Sequence, residues 1–178
     1  MTVPNILTMS RVAVIPFFVV SMAMDWRLAA LVLFAAASLT DMLDGYLARK
    51  MGQVTKFGKF MDPLADKLLV FAAMVFFLSE GTMAAWVALL VLAREFIISS
   101  LRMVAAASGT VIAADWSGKV KTTVQIACVL IILTPWHDTA LSSGIRLCDA
   151  ASWLIAAVTL WSGLDYLIRY RKILRDEF

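Results

Sequence analysis

Apolar residues run in six stretches, near 6–24, 28–48, 60–79, 82–107, 118–135 and 147–168. Each approaches or exceeds the roughly 17–20 residues that carry an α-helix across a bilayer. With 62% hydrophobic and only 16% charged residues in 178, no soluble domain of this size would need so much apolar surface. The predicted fold is therefore all-α: a single polytopic membrane domain over 1–178 with six transmembrane helices. The first stretch is the weakest, because Arg11 interrupts it and Pro16 is a potential kink. Residues 3–10 read either as its opening turns or as an interfacial segment.

Against this background one polar run stands out, Asp41-Met-Leu-Asp44-Gly45-Tyr-Leu-Ala48-Arg49, followed by Gly58, Asp62 and Asp66. Carboxylates at the ends of apolar spans are costly in lipid and demand compensation, which a bound cation supplies. On a helix advancing about 100° per residue, Asp41, Asp44, Gly45 and Ala48 share one face, as do Gly58, Asp62 and Asp66 on the next segment. Two carboxylate pairs can then face each other across a gap. All-oxygen ligation suits Mg²⁺ or Mn²⁺, which commonly retain substrate phosphate oxygens as further ligands. Gly45, Ala48 and Gly58 leave room beside the backbone, and Arg49 offers a planar cationic fork for phosphate. A competing reading makes the aspartates a salt-bridge network with Arg94 or Lys67, which repays its desolvation poorly. Gly45 and Ala48 taken alone also suit close helix packing.

The basic residues orient the chain. With six spans, Arg11, Arg49, Lys50, Lys56, Lys59, Lys119, Lys121, Arg169, Arg171, Lys172 and Arg175 fall on one side, and only Arg27 and Arg146 on the other. The positive-inside rule then puts both termini in the cytoplasm. The embedded charges gather toward that same face: Asp41 and Asp44 end the second span, Asp62, Asp66 and Lys67 begin the third, and Arg102 lies late in the fourth. Lys119 and Lys121 open the fifth, Asp165 lies late in the sixth, and Arg94 with Glu95, nearer mid-membrane, would form a floor. This describes a hydrated cup open to the cytoplasm, whereas a transport path needs polar groups at both mouths or along its length. Arg94, Ile98 and Arg102 follow at four-residue steps, so both guanidinium groups share a helix face beside Lys119 and Lys121. A concentrated positive site next to an acidic one is what a phosphorylated substrate requires. Arg94 can instead pair with Glu95 or the acidic cluster, and Lys119 can be a topology charge alone.

Other features read plainly. Cys128 and Cys148 suggest no disulfide framework. His137 falls in an outer loop away from the carboxylates, and Trp86, Trp136 and Trp153 suit interfacial placement. The basic tail Arg169-Tyr-Arg171-Lys172 fits contact with anionic lipid headgroups better than nucleic acid. The residues after Met1 lack the basic region, apolar core and cleavage site of a secretory signal, so the first span is expected to be retained.

The pattern D-x2-D-G-x2-A-R-x8-G-x3-D-x3-D is met without a gap by Asp41, Asp44, Gly45, Ala48, Arg49, Gly58, Asp62 and Asp66. In this the chain resembles the CDP-alcohol phosphotransferases. The resemblance implies transfer of a substituted phosphate from a CDP-linked donor to an alcohol, with release of CMP, in a six-helix membrane domain that is typically a homodimer. It implies two divalent cations, Mg²⁺ or Mn²⁺, held by Asp41, Asp44, Asp62 and Asp66, with Asp66 also the general base. Gly45, Ala48, Arg49 and Gly58, together with Asn5 and Thr8, would cradle the CDP moiety. Carboxylates engaged with metals make poor free nucleophiles, which favours single displacement over a covalent aspartyl phosphate.

Outer blocks extend the likeness. Pro4-Asn5-Ile-Leu-Thr8-Met-Ser-Arg11, Ala93-Arg94-Glu95-Phe-Ile-Ile-Ser-Ser-Leu-Arg102, Gly118-Lys119-Val-Lys121-Thr122-Thr-Val-Gln125 and Leu160-Trp161-Ser162 occur in the chain in that order. They resemble the bacterial branch of the family that couples CDP-diacylglycerol to sn-glycerol 3-phosphate. That branch implies a bacterial inner membrane location, an active site facing the cytoplasm, and Arg94, Arg102, Lys119 and Lys121 at the acceptor's phosphate. The rivals are a relative with another acceptor, such as phosphatidylglycerol, serine or an inositol compound, and a divalent-cation transporter using the same aspartates.

Overall fold

The computed structural model describes residues 3–51, 56–107, 115–141 and 144–171, with side chains for 9–40, 67–106, 115–141 and 144–171. Among the described residues six helices follow one another: α1 Val3–Ala23, α2 Arg27–Met51, α3 Lys56–Ser79, α4 Ala85–Ala107, α5 Trp116–Leu133 and α6 Leu147–Arg169. No strand occurs among the described residues; Ala140 and Arg146 form an isolated antiparallel bridge. Each helix overlaps one predicted span. α1 runs unbroken from Val3 with Pro16 inside it, so no break separates 3–10 from the turns that follow.

The turns at one end are tight and built for reversal. Asp25 takes a left-handed conformation (φ 57°) between α1 and α2, which a short polar side chain tolerates. Gly81 (φ 68°) follows α3, where Thr82 N–H donates to Phe77 O at 2.9 Å and Gly81 N–H to Leu78 O at 3.2 Å. These bonds satisfy carbonyls that a helix C-terminus leaves open. Polar contacts staple this end together: Arg27 pairs with Glu80 at 2.8 Å, and Arg146 with Asp149 at 2.8 Å. His137, a loop residue as expected, is buried there, its Nδ1 lying 2.9 Å from Thr134 O.

Two helical groups make the body. α1 packs on α2 and α3, α5 packs on α6, and α4 leans on α6 while touching α3 lightly. Contacts of α5 with α2 and α3 join the groups. Phe18, Phe34, Met74, Phe77, Val87, Val129, Ile132 and Ile155 form an apolar core between them, with Phe18 and Phe34 rings 6.0 Å apart. Both cysteines are free and buried in that core.

The outward faces are as apolar as the core. Phe17, Leu28, Val32, Val75, Leu89, Phe96, Met103, Leu164 and Ile168 are all exposed. A soluble monomer seldom shows apolar surface on this scale. Among the described residues two helices, Trp116–Leu133 and Leu147–Arg169, are long and apolar enough to cross a membrane. α4 has 23 residues but carries Arg94, Glu95 and Arg102.

Candidate active site

A cavity with about 620 Å³ of empty space, counting its open mouth, lies where five helices meet. α1 contributes Arg11, α2 Ser38, α3 Lys67, α4 Glu95, and α5 Lys121, Thr122 and Gln125. Ala37, Leu69 and Val91 also line it and belong to the apolar core, so the cavity is backed by packed hydrocarbon. Lys121 and Gln125 lie one helical turn apart and therefore on one face of α5, and both are buried. Arg11, the one basic residue in the sequence of α1, is only 2% exposed.

Glu95 is the electrostatic centre of this wall. Its Oε1 accepts a hydrogen bond from Lys121 Nζ at 2.7 Å and another from Arg94 Nη1 at 2.8 Å, and its Oε2 lies 3.9 Å from Lys67 Nζ. Three helices thus converge on one carboxylate. Arg94 extends the network to a fourth, donating from Nη2 to Ser162 Oγ on α6 at 2.7 Å. Its side chain passes two glycines: a Cβ on Gly163 would stand 3.4 Å from Arg94 Cγ, and one on Gly118 3.7 Å from Nη2. Gly163→Ala adds a methyl at ordinary contact distance and is expected to leave activity near wild type. Gly163→Val adds two more carbons toward the same stem and is expected to cost about 1–3 kcal/mol by overpacking, read as a lower unfolding temperature in detergent.

The four cations expected at an acceptor phosphate are placed differently from one another. Lys121 lines the cavity, and Arg94 stands behind Glu95 on the α6 side. Lys119, two residues from Lys121 and so on the other side of α5, is exposed. Arg102 lies over the ring of the buried Tyr166, 5.5 Å from its centroid, and its Nε donates to the Tyr166 hydroxyl at 3.4 Å. That cluster continues through Tyr170, whose hydroxyl donates to Asp115 at 3.1 Å. Partial burial, then this bond, pushes the Tyr170 phenol above its ordinary range. The sequence reading sets Glu95 with Arg94 at the cavity floor and Lys67 among the embedded charges, and gives neither Lys67 nor Glu95 a role toward substrate. Their signal was position: Lys67 follows Asp66, and Glu95 adjoins Arg94.

The side chains of Asn5, Thr8, Asp41, Asp44, Gly45, Ala48, Arg49, Gly58, Asp62 and Asp66 lie outside the described ones. Their backbone belongs to α1, to the last turns of α2 and to the first turns of α3. Ser38 stands one turn before Asp41 and Lys67 directly after Asp66, so the described cavity wall adjoins the acidic run along both helices. Among the described residues no group of three His, Cys, Asp or Glu could hold a metal ion.

The chain is a member of the CDP-alcohol phosphatidyltransferase family, whose sequence model matches residues 1–162. Among its relatives is the CDP-diacylglycerol–glycerol-3-phosphate 3-phosphatidyltransferase of Bacillus subtilis, 39% identical, with 98% of this chain and 97% of that protein covered. The proteins of the same name from Escherichia coli K12 (41% identical, 98% of both chains) and Sodalis glossinidius (39% identical, 99% of both) are similar over the same extent.

Proposed function

We propose that this protein transfers the phosphatidyl group of CDP-diacylglycerol to sn-glycerol 3-phosphate, giving phosphatidylglycerophosphate and CMP. The observation that carries the reading is that the eight-position signature, four of its residues aspartates, adjoins along the chain at Ser38 and Lys67 a cavity whose described wall is cationic. Near-full-length similarity to proteins bearing that activity's name supports it.

The donor set Asp41, Asp44, Asp62 and Asp66 is all carboxylate oxygen, which fits hard divalent ions such as Mg²⁺ or Mn²⁺. When bound, two such ions would hold the donor's diphosphate and screen the charge of the departing CMP. Asp66 accepts the proton of the acceptor's hydroxyl. The freed oxygen bonds to the phosphorus that carries diacylglycerol, and the bond from that phosphorus to CMP breaks. Gly45, Ala48, Arg49 and Gly58, with Asn5 and Thr8, position the CDP moiety. Lys121 meets the acceptor's phosphate from the cavity wall, and Arg94 supports it through Glu95. Arg102 and Lys119 add positive charge on α4 and α5 outside that wall.

The six helices cross the bacterial cytoplasmic membrane with the cavity toward the cytoplasm, as a homodimer. Two observations support the bilayer: apolar side chains cover the outward faces, and the shortest helix, 18 residues, spans about 27 Å at 1.5 Å per residue. The donor's acyl tails then leave sideways between helices into lipid.

The decisive assay is CMP release by the purified protein in detergent with CDP-diacylglycerol and Mg²⁺. Release is expected with sn-glycerol 3-phosphate and not with serine, inositol phosphate or phosphatidylglycerol. Release with one of those instead keeps the chemistry and replaces the acceptor, while uptake of divalent metal into sealed vesicles without nucleotide would restore the transport reading.

A further inference from the structure

Gln125 lines the cavity on the same face of α5 as Lys121, one turn further from the helix start, and is only 5% exposed. Its neighbours on this helix are engaged: Lys121 donates to Glu95, and Thr122 donates its hydroxyl proton to Gly118 O at 3.0 Å. The Gln125 amide makes no hydrogen bond among the described residues. A buried amide without partners is costly until a ligand or water completes it. We propose that Gln125 is a specificity-determining residue that hydrogen-bonds the acceptor's secondary hydroxyl, the one that does not attack phosphorus. This rests on the phosphatidyl transfer proposed above and names the group that reads the glycerol part of its second substrate.

Chemistry is the first argument. A carboxamide has an acceptor oxygen and two N–H donors, so it gives and takes hydrogen bonds at once, as an alcohol does. It carries no charge to match a phosphate and is too weak a base to take a hydroxyl proton. Such a group suits a substrate atom that is neutral, polar and unchanged by the reaction. Of the two hydroxyls of glycerol phosphate, the primary one attacks and the secondary one meets all three conditions.

Position is the second. Gln125 lies nine residues beyond Trp116, about 13.5 Å along the axis of α5 at 1.5 Å per residue. Past it α5 continues into the apolar core with Cys128, Val129 and Ile132, so the amide stands at the inner limit of the polar wall. In the mechanism above the CDP moiety belongs to α1, α2 and α3, while α5 meets the acceptor's phosphate. The rise from Lys121 to Gln125, about 6 Å, is one that a three-carbon phosphate ester bridges.

The test compares two acceptors in CMP release by the full-length protein in detergent: sn-glycerol 3-phosphate and 3-hydroxypropyl phosphate. The second keeps the phosphate and the primary hydroxyl and lacks the secondary one. Wild type is expected to prefer glycerol phosphate in kcat/KM by about 10²-fold, because a site built around a hydroxyl rejects the analogue without it. Gln125→Met, close in volume, is expected to bring that preference within about threefold by slowing glycerol phosphate alone. The KM for CDP-diacylglycerol should stay within about twofold of wild type. The unfolding temperature of the variant should equal or exceed that of wild type, since an amide without a protein partner has been replaced by an apolar group. Should Gln125→Met fail to fold, Gln125→Leu carries the same comparison. The proposal falls if wild type turns over both acceptors alike, if the variant keeps the preference, or if only the KM for CDP-diacylglycerol moves. Equal slowing of both acceptors with a lower unfolding temperature marks a purely structural residue and overturns it too. Wild-type release that ignores glycerol phosphate overturns the functional reading itself; release that depends on it, with the preference intact in the variant, overturns the role of Gln125 alone.

Discussion

Asp66→Asn is expected to cut glycerol-phosphate-dependent CMP release by about 10³-fold, within the range that loss of a general base produces. The exchange is nearly isosteric, so α3 should form as before, but an amide cannot take the hydroxyl proton and binds a cation more weakly than a carboxylate. Two effects then fall on one atom. Raising Mg²⁺ should restore only the part of the loss that comes from weaker metal binding; the remainder measures the proton transfer. An Asp66→Asn protein that turns over at the wild-type rate would remove this residue from the reaction, whatever the fate of the other three aspartates.

Arg94→Met should be the most damaging substitution for stability. The methionine keeps much of the stem volume between Gly118 and Gly163 and removes the fork that joins Glu95 to Ser162. Glu95 retains Lys121, so the loss stays below that of a fully orphaned buried charge, at about 2–3 kcal/mol. For a chain of this length that corresponds to a fall of roughly 5–10 °C in unfolding temperature, measured in detergent without substrate. Since α4 reaches the other helices mainly through α6, the effect should exceed that of Arg102→Met, whose partner ring on Tyr166 keeps its own packing. Equal melting of the two variants would show that the fork is not what holds α4 in place.

The helices themselves were legible because each apolar stretch is as long as the helix it becomes, and polar or glycine-bearing segments such as Ser79-Glu-Gly-Thr82 separate them. Periodicity also separates Lys119 from Lys121. Two residues apart they sit about 200° apart around an axis, so only one can face inward, and it is Lys121. What periodicity cannot give is the neighbour that a face meets. Arg94 and Arg102 do share a side of α4, but that side meets Ser162 and Tyr166 of α6, while Glu95, one residue round, faces the cavity. The expected floor of Arg94 and Glu95 is accordingly divided: Glu95 lines the wall, and core residues such as Leu69 and Val91 line the cavity beside it. In apolar helices the charged positions are few, and their partners are set by packing between distant segments that no local pattern encodes. The signature aspartates are read from their spacing alone, and their side chains lie outside the described ones.

The seam between the two helical groups also orders assembly in time. α1, α2 and α3 find one another over short stretches of chain, and α5 closes on α6 in the same way. α4 emerges between these events with Arg94 and Glu95 already in its middle, 26 residues ahead of Lys121 and 68 ahead of Ser162. Until those arrive, Glu95 has Arg94 beside it and Lys67 of α3 within reach, and α4 has little else to hold it. The sixth helix is thus the one that seats the fourth, and a chain truncated before Ser162 should retain its first three helices while leaving Arg94 without its α6 partner and the ion network unfinished.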